Sequence, residues 1–139
     1  MRAFQRSLII VVCGCSASSG IAPDDLSGSY ALTAINGASI PAPSPLSSGT
    51  VLAGSLQISA SYVATVSETF TDADRTTIGR TIGQFLLHRV GDVYALEATS
   101  TGTIGAQVDT LRVSESKLTT RHIPPVGSTT PTIVRVYER

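Results

Sequence analysis

Few side chains in this sequence could perform chemistry, and they do not form a known catalytic pattern. The chain has two histidines, His88 and His122, and neither lies at a spacing typical of metal ligands. Residues 114–117 spell Ser-Glu-Ser-Lys, an S-x-x-K pattern that carries a nucleophilic serine when it begins a helix, but here it reads as a hairpin turn. We therefore expect no catalytic residue, no metal and no cofactor, and we predict that the protein is not an enzyme.

One carboxylate is placed unusually. Glu68 alternates with Val66 and Phe70, so its side chain is directed to the core side of a predicted strand. An unpaired buried carboxylate is costly, which leaves three placements: a barrel rim, a pair with an arginine such as Arg80, or a polar lumen. The rim is favoured because glutamate is seldom fully buried. Glu97, a possible second acid, is predicted on the other face.

The composition favours a small β-rich domain without a nucleic-acid surface. Of the 139 residues, 42% are hydrophobic and 14% are charged, and Ser, Thr and Gly supply much of the polar remainder. The arginines are scattered, and Lys117 is the lone lysine. Loss of residues 1–14 would leave eight basic against ten acidic residues. We therefore expect no basic patch for nucleic acid or anionic lipid.

Short segments with period-two alternation, separated by turn residues, predict an all-β domain over residues 26–139. The predicted strands are residues 29–35, 50–59, 62–71, 77–90, 93–99, 103–113, 117–123 and 132–137. Residues 40–48 and 124–131 are predicted to be loops because they are rich in proline, which cannot donate to a strand ladder.

Alternation also predicts which side chains share a face. One strand places Leu52, Leu56 and Ile58 together, and the next places Tyr62 with Ala64, Val66 and Phe70. Gly91 and Asp92 suit a tight two-residue hairpin, which pairs Val90 with Val93, Leu87 with Leu96 and Phe85 with Ala98. The resulting apolar face is Phe85, Leu87, Tyr94, Leu96 and Ala98, and the wet face is Gln84, His88 and Glu97.

Eight strands joined by mostly short connections predict a single small antiparallel up-and-down barrel, with a β-sandwich as the alternative. Gly79 and Gly83 within one strand predict a sharp bend of the sheet, as barrel coiling requires.

The first residues have the order of a secretory signal: two arginines, a short apolar run and then small residues. The run is too short to span a bilayer. Val-Cys-Gly-Cys at residues 12–15 resembles a bacterial lipobox, in which the last cysteine becomes the lipidated first residue of the mature protein. The resemblance implies a signal peptide over residues 1–14, a lipid anchor on Cys15 and a flexible tether over residues 15–25.

This arrangement implies a lipoprotein of the cell envelope. Ser16 after the anchor resembles the signal for an outer membrane, facing the periplasm or the cell surface, and plain secretion is the alternative. Both cysteines, Cys13 and Cys15, lie at the signal boundary, so the mature domain can hold no internal disulfide.

Leu-Ser-Gly-Ser-Tyr-Ala-Leu at residues 26–32, Ile-Asn-Gly at 35–37 and Ile-Pro at 40–41 resemble the first strand of lipocalin-like domains of small bacterial lipoproteins. The similarity extends in spacing through the Gly91-Asp92 hairpin to Val-Arg-Val-Tyr at residues 134–137. Tyr30 stands nearest the tryptophan that is common in true lipocalins. The resemblance implies a lipocalin-like barrel.

Two functions remain open. The barrel could bind a small apolar or amphipathic ligand in its lumen, where Ala64, Gly79, Gly83 and Ala98 would leave space. Alternatively, the protein could be a structural or interaction protein of the envelope, with a filled core and its function on the two proline-rich loops.

Overall fold

The computed structural model describes residues 25–72, 74, 76–98 and 109–139, and these residues form ten β-strands. No helix among them is long and apolar enough to cross a membrane. The strands are β1 (Gly28–Ile35), β2 (Ala38–Ser39), β3 (Ala42–Pro43), β4 (Thr50–Ile58), β5 (Val63–Thr71), β6 (Thr77–Val90), β7 (Val93–Ala98), β8 (Asp109–Ser114), β9 (Lys117–His122) and β10 (Ile133–Glu138).

Eight of these strands close into an antiparallel barrel. Each strand from β4 to β10 pairs with the next, and β1 pairs with both β10 and β4. The two-residue strands β2 and β3 lie outside the ring. Every strand of the ring therefore has two neighbours, and this closure removes both sheet edges. The predicted all-β barrel is confirmed, and the sandwich alternative is wrong.

The register of the central hairpin matches the prediction. Val90 pairs with Val93, Leu87 with Leu96, and Phe85 with Ala98. On the outer face, His88 lies opposite Ala95, is exposed, and contacts the Glu97 carboxylate at 2.9 Å. Ala98 departs from the prediction because it is exposed at the end of β7. The last residue of the strand predicted over residues 93–99 and the first part of the strand predicted over residues 103–113 lie outside the described residues.

Three register shifts affect which side chains face inward: one in β1 between Leu32 and Ala34, and two in the pairings of β5 with β4 and β6. A register shift between Val51 and Ala53 makes Leu52 the extra residue of β4, so Leu52 is 38% exposed and Val51 is buried. The prediction that Leu52 joins Leu56 and Ile58 in the core is therefore wrong. A second shift lies opposite the Val66/Ser67 step of β5, beside Gly83 of β6. A Cβ at residue 83 would lie 2.7 Å from the Phe85 ring, so glycine makes room for that ring.

One strand prediction and one loop prediction also need correction. Tyr62 precedes β5 with a left-handed φ of 59° and is 37% exposed, so it leaves the face of Ala64 and Val66. Within the proline-rich loop, residues 42–43 pair briefly with the start of β4. Proline is tolerated there because the pairing is a two-residue edge.

The N-terminal segment closes one end of the barrel. Leu26 is buried, and its carbonyl accepts a hydrogen bond of 2.9 Å from the Tyr30 hydroxyl. The Arg139 guanidinium lies 5.1 Å from the Tyr30 ring centroid and donates to the Ser27 carbonyl at 2.9 Å. These contacts tie the start of β1 to the C-terminus, so residue 25 enters at the closed end.

Candidate functional site

A cavity of about 140 Å³ occupies the other end of the barrel interior. The apolar residues that line it are Leu46, Val66, Phe85, Leu96 and Ile133. The polar residues that line it are Asp109, Thr120, Arg121, His122, Arg135 and Tyr137. Leu46, on the loop before β4, is 48% exposed, while Asp109, His122 and Ile133 stand at strand ends on the same rim. The cavity therefore reaches from this rim into the barrel between β5 and β10.

A buried ion pair forms the polar side of the lumen. The Arg135 Nε donates to Glu68 Oε1 at 2.6 Å, and the two side chains are only 8% and 4% exposed. Arg135 faces inward because β10 alternates, with Ile133, Arg135 and Tyr137 buried in turn. The rim placement favoured for Glu68 is therefore wrong. Glu68 is buried in a pair with an arginine, as one of the alternatives predicted, but the arginine is Arg135. The side chain of Arg80, the suggested partner, lies outside the described part of the chain.

The Tyr137 hydroxyl is fully buried and has no hydrogen-bond partner among the described residues. Burial raises the pKa of the Tyr137 phenol above its usual range, and the Glu68 charge raises it further, while the charge of Arg135 opposes both effects. Thr120 lies near enough to favour the phenolate slightly, but it is not in hydrogen-bonding geometry with the phenol. Tyr137 therefore remains a protonated donor at neutral pH.

A second polar pair stands at the mouth of the cavity. His122 Nδ1 lies 2.6 Å from Asp109 Oδ1, and the side chains are 18% and 13% exposed. The pair joins the last residue of β9 to the first residue of β8. Asp109 is thus paired with the His122 imidazole, as Glu68 is paired with the Arg135 guanidinium. Within residues 25–72, 74, 76–98 and 109–139, no three His, Cys, Asp or Glu side chains could together hold a metal ion.

Sequence reasoning found only part of this site. It directed Glu68 inward, but it missed Arg135, Tyr137 and the His122–Asp109 pair. The alternation of β10 could have shown that Arg135 shares a face with Ile133 and Tyr137. The His122–Asp109 pair depends on the hairpin register, because pairing Ser114 with Lys117 places Asp109 opposite His122, whereas the predicted three-residue turn at residues 114–116 shifts the pairing by one residue.

Other predicted features lie away from the cavity. Residues 114–117 form the β8–β9 hairpin, as predicted, and the Lys117 ammonium binds the Glu138 carboxylate at 2.8 Å. Cys15, the predicted lipidation site, the signal peptide and most of the tether lie outside the described residues. A comparison with known proteins finds no protein-family profile, curated protein or solved structure that matches the chain.

We predict that Glu68 and Arg135 depend on each other for stability. Arg135→Met leaves a buried carboxylate without its partner and should lower the free energy of unfolding by about 3–5 kcal/mol. The double variant Glu68→Leu/Arg135→Met removes both charges and should recover most of that loss. Urea denaturation monitored by circular dichroism measures both values. If the double variant is no more stable than the single one, the pair is not the cause of the loss.

We also predict opposite effects from two Tyr→Phe substitutions. Tyr137→Phe removes a buried hydroxyl that has no partner in the described part of the chain, so the free energy of unfolding should rise by about 1 kcal/mol. Tyr30→Phe removes a hydroxyl that donates to Leu26 and should lower it by about 1 kcal/mol. Thermal and urea unfolding of the two variants provide the measurement. A loss of stability in Tyr137→Phe would mean that its hydroxyl is satisfied.

Proposed function

We propose that the protein is a lipid-anchored envelope protein whose barrel binds a small, mainly apolar molecule in its lumen. The cavity of about 140 Å³ carries this proposal. An eight-stranded barrel is narrow enough for side chains to fill it completely, so unfilled space in its interior argues against a purely structural core. The lumen also combines apolar walls with a few convergent polar groups, a combination typical of ligand sites.

The size of the cavity limits the ligand. An apolar cavity of about 150 Å³ holds one benzene molecule. The lumen therefore suits a ligand of about six to nine non-hydrogen atoms. Leu46 lies half-exposed on a loop over the mouth, so displacement of this side chain would admit a somewhat larger ligand.

The position of residue 25 fits an anchored protein. Residue 25 enters at the closed end, near the end of β10, whereas the cavity mouth lies where β10 begins. A lipid on Cys15, followed by the tether, would hold the closed end toward the membrane and leave the mouth facing away. An outer membrane is the proposed location, and secretion is the alternative. We also propose a lipocalin-like relationship, supported by the closed eight-stranded barrel and the first-strand resemblance.

The alternative function is a structural or interaction protein of the envelope. The observation that favours it is a group of exposed apolar side chains on the loops near the mouth. These are Leu46, Ile123 and Val126, and Val126 is fully exposed. Such a group could contact a partner protein without any ligand in the lumen.

Ligand occupancy can be measured directly. We predict that native mass spectrometry of the protein purified from its own host's envelope shows an extra mass, on the order of 100 Da, that denaturation removes. Val66→Phe adds a ring to the cavity wall and should abolish this extra mass. The control Val90→Phe places the same ring on the exposed outer face and should leave it unchanged. A bare polypeptide mass in every sample would contradict lumen binding and favour the interaction role.

The anchor has a separate test. We predict that Cys15→Ser moves the protein from the detergent phase to the aqueous phase in detergent partitioning of cell envelopes, because no lipid can be attached. Cys13→Ser, two residues away, should still partition with detergent. Equal partitioning of the two variants would contradict an anchor on Cys15. Aqueous partitioning of the unaltered protein would indicate plain secretion.

A further inference from the structure

The polar end of the cavity contains a hydrogen-bond donor without an acceptor. Tyr137 is fully buried and lines the cavity, and its hydroxyl has no partner among the described residues. Tyr30, the other fully buried tyrosine of the core, differs in this respect. Its hydroxyl donates to the Leu26 carbonyl at 2.9 Å and accepts from Arg139 at 3.1 Å. Between these two tyrosines, the lack of a hydrogen-bond partner is therefore found at the one that lines the cavity.

The Tyr137 hydroxyl lies beside a second donor. Arg135 and Tyr137 are successive inward-facing residues of β10, and both line the same cavity. Arg135 uses Nε to bind Glu68, and no other partner of its guanidinium occurs among the described side chains. The terminal N–H groups of the guanidinium are therefore unmatched in that part of the chain. Among the described residues, the fully buried side-chain atom without a partner is the Tyr137 hydroxyl, and leaving it unsatisfied is costly, so a ligand group that accepts from it gains affinity. The terminal N–H groups of Arg135 can donate to the same ligand group.

Both carboxylates near the cavity already have a basic partner. Glu68 accepts from Arg135 through one oxygen, and Asp109 is paired with His122. A ligand that only donated hydrogen bonds to these carboxylates would leave the proton of the buried Tyr137 hydroxyl without an acceptor among the described residues. What the site lacks is an acceptor that reaches the phenol and the guanidinium together.

The charges of the lumen favour a neutral acceptor. Glu68 already balances Arg135 at the polar end, and Arg121 is exposed at the rim, so a carboxylate that reached the polar end would bring an additional negative charge beside Glu68. That carboxylate would also have to shed its hydration shell inside the barrel, at a large cost. A carbonyl oxygen accepts the same hydrogen bonds without either penalty.

We propose that the ligand of this lumen is a small, mainly apolar molecule with a neutral carbonyl oxygen that accepts from Tyr137 and Arg135. The inference rests on the proposed ligand-binding function and specifies its chemistry. The ring or alkyl part of the ligand packs against the apolar walls formed by Val66, Phe85 and Leu96. The carbonyl lies at the polar end, where it satisfies the buried phenol.

Three aromatic compounds of similar size and shape test this chemistry. Acetophenone presents a neutral carbonyl, α-methylstyrene replaces the oxygen with a methylene group, and benzoate replaces the carbonyl with a carboxylate. Binding of each compound to the mature protein is followed by titration of backbone amide signals in NMR spectra. We expect acetophenone to bind more tightly than benzoate. Stronger binding of benzoate would contradict the inference that the acceptor group of the ligand is neutral.

The Tyr137→Phe variant isolates the hydrogen bond. It should weaken acetophenone binding by about tenfold and leave α-methylstyrene binding unchanged, because only the carbonyl uses the phenol. Tyr30→Phe, a change at the closed end, should alter neither affinity. If α-methylstyrene binds and Tyr137→Phe leaves acetophenone binding unaffected, the carbonyl inference fails while ligand binding stands. If none of the three compounds binds in the lumen, the inference fails, and the occupancy measurement then decides the proposed function by itself.

Discussion

The pairing of β1 with both β4 and β10 closes the barrel and creates its interior. Residues 28–31 of β1 pair with β4, and residues 31–35 pair with β10. Without the pairing to β4, the eight strands would form an open sheet with two exposed edges and no enclosed interior. Closure gives each strand an inner and an outer face. It also brings together inward side chains that are far apart in sequence, as with Glu68 and Arg135.

The interior of this barrel is more polar than a purely structural core requires. Replacing a buried ion pair with apolar residues of similar volume is often neutral or stabilising, so the Glu68–Arg135 pair is weak support for a role in stability alone. Here the pair coincides with an unfilled cavity and with a tyrosine hydroxyl that has no partner among the described residues. The three features lie within one part of the lumen, and a ligand that uses them together explains all three.

The two ends of the barrel differ in construction. At the closed end, Leu26 is buried, and Tyr30 and Arg139 bind the backbone of the N-terminal segment. At the mouth, loops rich in proline carry exposed apolar side chains such as Leu46 and Val126. Residue 25 and the C-terminal Arg139 thus lie at the tightly packed closed end, whereas the cavity opens among the loops at the other end. This polarity is consistent with attachment at one end and recognition at the other.

Alternation and turn chemistry are local properties, so the sequence predicted the eight strands of the ring, although it missed the two-residue strands β2 and β3. The Gly91-Asp92 hairpin has the predicted register, and β6 has the predicted bounds. Three structural features depend on tertiary contacts that local sequence patterns do not encode. The bulge at Leu52 depends on pairing with β5, the partner of Glu68 comes from a strand 67 residues away, and the cavity depends on how inward side chains meet across the closed ring. Pairing and packing between distant segments set all three. The sequence could therefore predict that individual side chains face inward, but it could not predict that they form a cavity with an ion pair.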